Sequence, residues 1–115
     1  MAVVTWRWLP RAWAVGGLTL LAGASVAADP AEIARGKLLF TTLQPACATC
    51  HTLQAAGAEG QIGPVLDELK PDADRVLRAL RNGIGVMPSY AEKISPQDMQ
   101  DLARFVAHAT GAASP

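Results

Sequence analysis

An all-α domain of modest size is what this sequence predicts, and three observations predict it. Three stretches repeat their apolar residues at the period of a helix, and each opens on a polar capping residue with a proline beside it. No stretch alternates apolar and polar residues over a useful length, so no sheet is expected. Once an N-terminal leader is set aside, 87 residues remain with Phe40, Tyr90 and Phe105 as their only aromatics. A domain that small needs a staple beyond its own core.

The leader is residues 1–28. Arg7 and Arg11 supply a basic start, Ala12 to Ala22 is an uncharged and mostly apolar run, and Ser25-Val26-Ala27-Ala28 ends it with small residues. That order is the signature of a secretory signal peptide, with cleavage after Ala27 or after Ala28 equally acceptable. The apolar run is shorter than the roughly 20 residues that span a bilayer. The expectation is therefore export to the periplasm, with no stable membrane insertion after cleavage and a mature domain of residues 29–115. All three tryptophans leave with the leader. The mature segment keeps eight basic residues against ten acidic ones, and no basic patch speaks for nucleic acid.

The elements follow in order. Asp29-Pro30 reads as an N-cap followed by proline at N1. Ile33, Gly36, Phe40 and Leu43 then fall on one helical face, and Pro45 closes the helix ahead of the cysteines. A glycine in mid-helix costs about 1 kcal/mol against alanine, which a second helix crossing there would justify. Thr52 to Ile62, rich in alanine and glycine, reads as a loop without reactive side chains, and Gly63-Pro64 leads into the apolar Val65 to Leu69. A second helix starts near Pro71-Asp72, with Ala73, Val76, Leu77 and Leu80 as its inner stripe and Gly83 as its stop. Arg75, Arg78 and Arg81 take another face, the pattern of a solvated surface. Ile84 to Lys93 is a loop holding Met87-Pro88. Ser95-Pro96-Gln97-Asp98 opens the last helix as a capping box, with Met99, Leu102, Ala103, Phe105 and Val106 facing inward and Gly111 at its end.

Between the first two helices lies Cys47-Ala48-Thr49-Cys50-His51. Two cysteines three apart with a histidine next is the pattern of covalent haem attachment. Each thiol adds to one porphyrin vinyl group, and the histidine reaches the iron from the same side. Thiol exchange and zinc binding also use two such cysteines, but the βαβ surroundings of a thiol exchanger are absent. A haem would also supply the staple that the small core lacks. His51 then gives one axial ligand, and Met87, Met99 and His108 are the candidates for the other. Met99 lies on the apolar face of the last helix, where packing explains it. His108 sits near the end of that helix, where an imidazole faces water or supports the dipole. Met87 stands in a loop between glycines and a proline, outside any helical stripe, with gap filling as its alternative role.

Taken together, Cys47-Ala48-Thr49-Cys50-His51, Gly63-Pro64 and Met87-Pro88 with Tyr90, framed by the Gly36/Phe40 and Leu102/Phe105 helices, resemble the class I c-type cytochromes, in particular the small monohaem bacterial ones. The resemblance runs from Asp29 to Gly111. It implies three or more short helices wrapped around one haem c, held by thioethers to Cys47 and Cys50. It implies His51 and Met87 as the iron ligands, the Pro64 carbonyl as hydrogen-bond acceptor for the His51 ring, and a crossing of the first and last helices at Gly36 near Phe105. The span from Phe40 to Cys47 is longer than usual, and lysine is confined to Lys37, Lys70 and Lys93.

With both axial positions filled there is no room for a substrate, and the expected function is one-electron transfer rather than catalysis. The expected partners are periplasmic redox proteins, a dehydrogenase as donor and an oxidase or another cytochrome as acceptor. The Gly83 to Pro88 loop is similar to that of cytochromes serving sulfite-oxidising molybdoenzymes. The alternative is a ligand-sensing or catalytic haem protein in which Met87 is not bound and the sixth position is open.

Overall fold

The computed structural model describes residues 1–3, 17 and 27–112. Arg7, Arg11, the apolar run of the leader apart from Gly17, and Ser25 and Val26 of the cleavage motif lie outside the described residues. Among those described, no helix is long and apolar enough to cross a membrane.

The frame is a pair of crossed helices from opposite ends of the domain. The first, α1 (Pro30–Thr42), begins where Asp29 accepts a hydrogen bond from the Ala31 amide at 2.8 Å, with Pro30 inside the first turn. It stops when Leu43 turns extended, two residues ahead of Pro45, as the backbone preferences before a proline favour. The last helix (Pro96–Thr110) starts at Ser95, whose hydroxyl accepts from the Asp98 amide at 3.1 Å, and ends at Gly111 in the left-handed region, φ +67°. The two cross at Gly36. A methyl group there would meet the Asp101 carbonyl, with Phe105 Cβ only 2.5 Å away. Glycine is therefore what lets the backbones approach, and the crossing inferred from the resemblance is found in that place. Phe40 and Phe105 then meet edge to face, their ring centres 6.0 Å apart at 70°. Ion pairs Arg35–Asp98 and Glu32–Arg104 flank the same interface.

The third expected helix also forms. It spans Ala73–Asn82, is capped by Asp72 through the Arg75 amide at 2.7 Å, and ends at Gly83. Leu80 is buried, while Val76 and Leu77 pack partly against the core. Arg75, Arg78 and Arg81 are exposed, as their separate face predicts. The buried set joins Leu39, Phe40, Leu53, Leu66, Leu80, Tyr90, Met99, Leu102, Phe105 and Val106 into one cluster. Met99, at 4% exposure, belongs to it.

Three smaller elements were not visible as helical or strand patterns. Cys47–Cys50 forms one helical turn, α2, and Leu66–Leu69 another, α3. In chain order the Ala73–Asn82 helix is therefore α4 and the Pro96–Thr110 helix α5. The stretch expected as a plain loop holds a hairpin, with β1 (Thr52–Leu53) antiparallel to β2 (Ala58–Glu59) across a 3₁₀ turn. Each of these pieces is shorter than one period of the pattern that would reveal it. Isolated, a single turn does not survive in water, so tertiary contacts make them. Asp67 on α3 accepts from the Gln54 amide at 2.9 Å, and the Thr52 hydroxyl donates to the Gly60 carbonyl at 2.9 Å.

Candidate haem-binding site

Cys47 and Cys50 stand at the two ends of α2, both half-buried, and His51 is its C-cap, with its amide donating to the Cys47 carbonyl at 2.9 Å. One helical turn therefore carries both thiols and passes the chain directly to the imidazole. As a free thiol, Cys47 is pushed up to about 11 by burial, with a smaller contribution from the charge of Cys50 and its own backbone amide opposing. Little of it is thiolate at neutral pH, and the thiolate is the attacking form, which does not suit a disulfide exchanger.

The segment after the hairpin wraps back over this turn. Gly60 lies against the Cys50–His51 peptide, where an added Cβ would come 2.6 Å from the His51 nitrogen. The Gly63 amide donates to the Cys50 carbonyl at 2.7 Å. Gly63 also lies against the imidazole: a Cβ there would be 2.6 Å from Cε1 and 2.9 Å from Nδ1. His51 Nδ1 sits 2.8 Å from the Pro64 carbonyl oxygen. A carbonyl only accepts, so Nδ1 carries the proton and Nε2 keeps its lone pair. Ring plane and tautomer are thus both set by Gly63 and Pro64.

Met87 is presented by a different device. Ile84 and Met87 exchange two backbone hydrogen bonds, at 3.1 and 2.9 Å, around Gly85 with φ +56°. Gly83, φ +69°, gives the chain its exit from α4, and its α-carbon sits so close to the Met87 carbonyl that a Cβ would be 2.7 Å away. Beyond Pro88, the Tyr90 amide donates to the Leu80 carbonyl at 2.7 Å and its hydroxyl to the Pro45 carbonyl at 2.6 Å. Burial, and then the negative charges that Cys47 and Cys50 would carry as unattached thiolates, push the Tyr90 phenol up to about 12.

Cys47, His51 and Met87 share the walls of one cleft with Phe40, Leu66, Leu69, Val76, Leu80, Leu102 and Val106. Among the described residues, Arg75 is the one permanently charged residue on it. Of the three candidates for a second ligand, only Met87 is there, because Met99 is in the core and His108 is exposed on α5. An imidazole lone pair, a thioether and a thiol on a wall that is apolar apart from Arg75 fit a porphyrin iron. They do not fit a bare metal ion: among the described residues, no group of three or more His, Cys, Asp or Glu side chains could hold one. Gly60 and the contact of Tyr90 with Pro45 are parts of this site that sequence patterns leave unmarked, and Arg75, expected only on a solvated face, also lines the cleft.

Comparison with known proteins agrees. Residues 31–106 match the family model described as cytochrome c oxidase, cbb3-type, subunit III. The chain is 30% identical over 106 residues to cytochrome c6 of Synechocystis sp., covering 85% of this chain and 80% of that protein. It is 29% identical over 82 residues to the cytochrome bc1 complex cytochrome c subunit of Corynebacterium diphtheriae, covering 68% of this chain but 27% of that protein. Among solved structures it superposes on the c-type cytochrome SorU from Sinorhizobium meliloti with a TM-score of 0.69 and 42% identity, over 76% of this chain and all of that one. Fold and site thus define the class as a small class I c-type cytochrome. The chain belongs to this cytochrome c family of electron carriers, and its cofactor is one covalently bound haem c.

Proposed function

We propose that the protein is a periplasmic one-electron carrier whose haem iron is held by His51 Nε2 and Met87 sulfur, with Cys47 and Cys50 as the thioether positions. The observation that supports this reading is the placement of a fixed imidazole and a methionine side chain on the walls of one largely apolar cleft. When bound, the haem supplies reversible exchange of one electron at its iron.

The protein residues set the terms of that exchange. The Pro64 carbonyl holds the His51 ring and raises its basicity as a ligand. A thioether is a weak donor and favours the ferrous state, so Met87 raises the potential. The mostly apolar walls from Phe40 to Val106 lower the local polarity around the iron, with Arg75 as the charged group among them. Neither ligand has to move between oxidation states, and neither leaves a position for substrate, which supports a carrier rather than an enzyme. Ile62, beside Gly63, and Ile84 and Val86, beside Met87, are 68, 68 and 89% exposed. Such exposed apolar side chains suit brief contact with another redox protein.

Residues 1–28 act in this reading as the export signal, and intact mass of the periplasmic protein will show cleavage after Ala27 or Ala28. The donor we infer is a dehydrogenase, with a sulfite-oxidising molybdoenzyme tested first. An oxidase or a second cytochrome is the acceptor. The decisive variant is Met87→Ala. It should abolish the weak methionine-to-iron band at the red edge of the oxidised spectrum and lower the potential, and an unchanged spectrum rejects the assignment.

A further inference from the structure

We propose that Tyr90 is a positioning residue: its hydroxyl fastens the Met87 turn to the segment that carries Cys47, and so keeps the thioether on the iron. The inference rests on the Met87 ligation proposed above. The haem is fixed covalently at the α2 end but only by a dissociable bond at the Met87 end. Anything that fixes the distance between those two ends therefore governs how often the dissociable bond opens.

The hydrogen bonds of the Met87 loop sort cleanly by what they connect. The Ile84–Met87 pair stiffens the turn internally. Gly83 N–H to Ala79, Ser89 Oγ to the Arg81 carbonyl at 2.6 Å and Tyr90 N–H to Leu80 all tie it to α4, its neighbour in sequence. The bond from Tyr90 Oη to the Pro45 carbonyl spans 45 residues. Among the described residues it alone joins this loop to the stretch leading into Cys47. Tyr90 is 3% exposed, so its bonded hydroxyl anchors the C-terminal end of the turn in the core. A swinging loop would also strand the Pro45 carbonyl without its donor.

Tyr90→Phe removes the hydroxyl and keeps the buried ring, which preserves packing. Imidazole added to the haem-loaded ferric protein is the probe, because it binds only when Met87 has left. Its apparent dissociation constant scales inversely with the open fraction. We expect Tyr90→Phe to tighten imidazole binding about tenfold, the scale of one lost hydrogen bond with an orphaned acceptor. In the Met87→Ala background the same substitution should change affinity less than twofold, because no thioether remains to hold. Ser89→Ala, at an exposed site that ties the turn only to α4, should stay within twofold of the unmodified protein.

Unmodified and Tyr90→Phe proteins binding imidazole equally would overturn the proposal. Equal tightening with and without Met87 would also overturn it, since Tyr90 would then act on the cleft at large. A tenfold effect at Ser89 would move the fastening there and reject Tyr90. Failure of the underlying ligation is recognisable separately: the unmodified protein would bind imidazole as tightly as Met87→Ala does.

Discussion

Gly36→Ala sets helix propensity directly against packing. On an exposed helix the change stabilises by about 1 kcal/mol, because alanine loses less backbone freedom than glycine. Here the new methyl would meet the Asp101 carbonyl oxygen and lie 2.5 Å from Phe105 Cβ and 2.8 Å from the Asp101 carbonyl carbon. Carbon atoms settle at about 3.5–4.0 Å, so α1 and α5 would have to part by on the order of 1 Å. The obstacles are backbone and a β-carbon, which no rotamer change can remove. A gap of that size forfeits a quarter to a half of each dispersion contact along the seam, including the edge contact of Phe40 with Phe105. Overpacking of this kind costs about 1–3 kcal/mol beyond the propensity gain it must first cancel. We expect a net loss of about 2 kcal/mol, which for a domain of this size is a fall in Tm of roughly 10 °C. Thermal unfolding of the haem-loaded protein, followed by far-ultraviolet circular dichroism, measures it. An unchanged or higher Tm refutes the crossing geometry.

Two further perturbations follow from the same geometry. Gly63→Ala pushes a methyl to 2.6 Å from His51 Cε1. It should destabilise by about 1–3 kcal/mol in chemical denaturation and raise the potential, since a displaced ring loses the Pro64 hydrogen bond that makes it a stronger donor. Arg35→Gln tests the pH dependence. The Arg35 guanidinium, followed by the Ser95 hydroxyl, holds the Asp98 carboxyl below its usual range. A depressed folded-state value means stability that is fully present above about pH 4 and is lost as pH falls through the lower folded value. The variant should unfold at higher pH on acidification and lose up to about 1 kcal/mol at neutrality, as exposed pairs do. An acid midpoint that does not move contradicts the pairing.

The sequence carried some of this structure openly and hid the rest for physical reasons. α1, α4 and α5 announce themselves because Asp29, Asp72 and Ser95 cap stretches long enough to repeat. Gly36 is conspicuous as a glycine inside such a stretch, and its partner helix supplies the explanation. α2, α3 and the hairpin leave no trace, since two to four residues cannot show a period and their stability comes from contacts with distant segments. At the site, Cys47, Cys50 and His51 are legible from covalent chemistry, which demands neighbours in sequence. Met87 stands out in the sequence because it lies in a loop outside any helical stripe; in the structure it packs against the edge of the core and lines the cleft. The Pro64 carbonyl came from family resemblance, and a backbone oxygen has no side-chain signature. Gly60 and the Tyr90–Pro45 contact depend on chain segments meeting in space, which no local spacing encodes.

Carbon monoxide added to the reduced, haem-loaded protein at neutral pH tests most directly whether both axial positions are filled. With His51 and Met87 bound, the carbonyl adduct should form slowly and incompletely. Rapid and complete formation contradicts the assignment, and leaves an open iron of the ligand-binding kind.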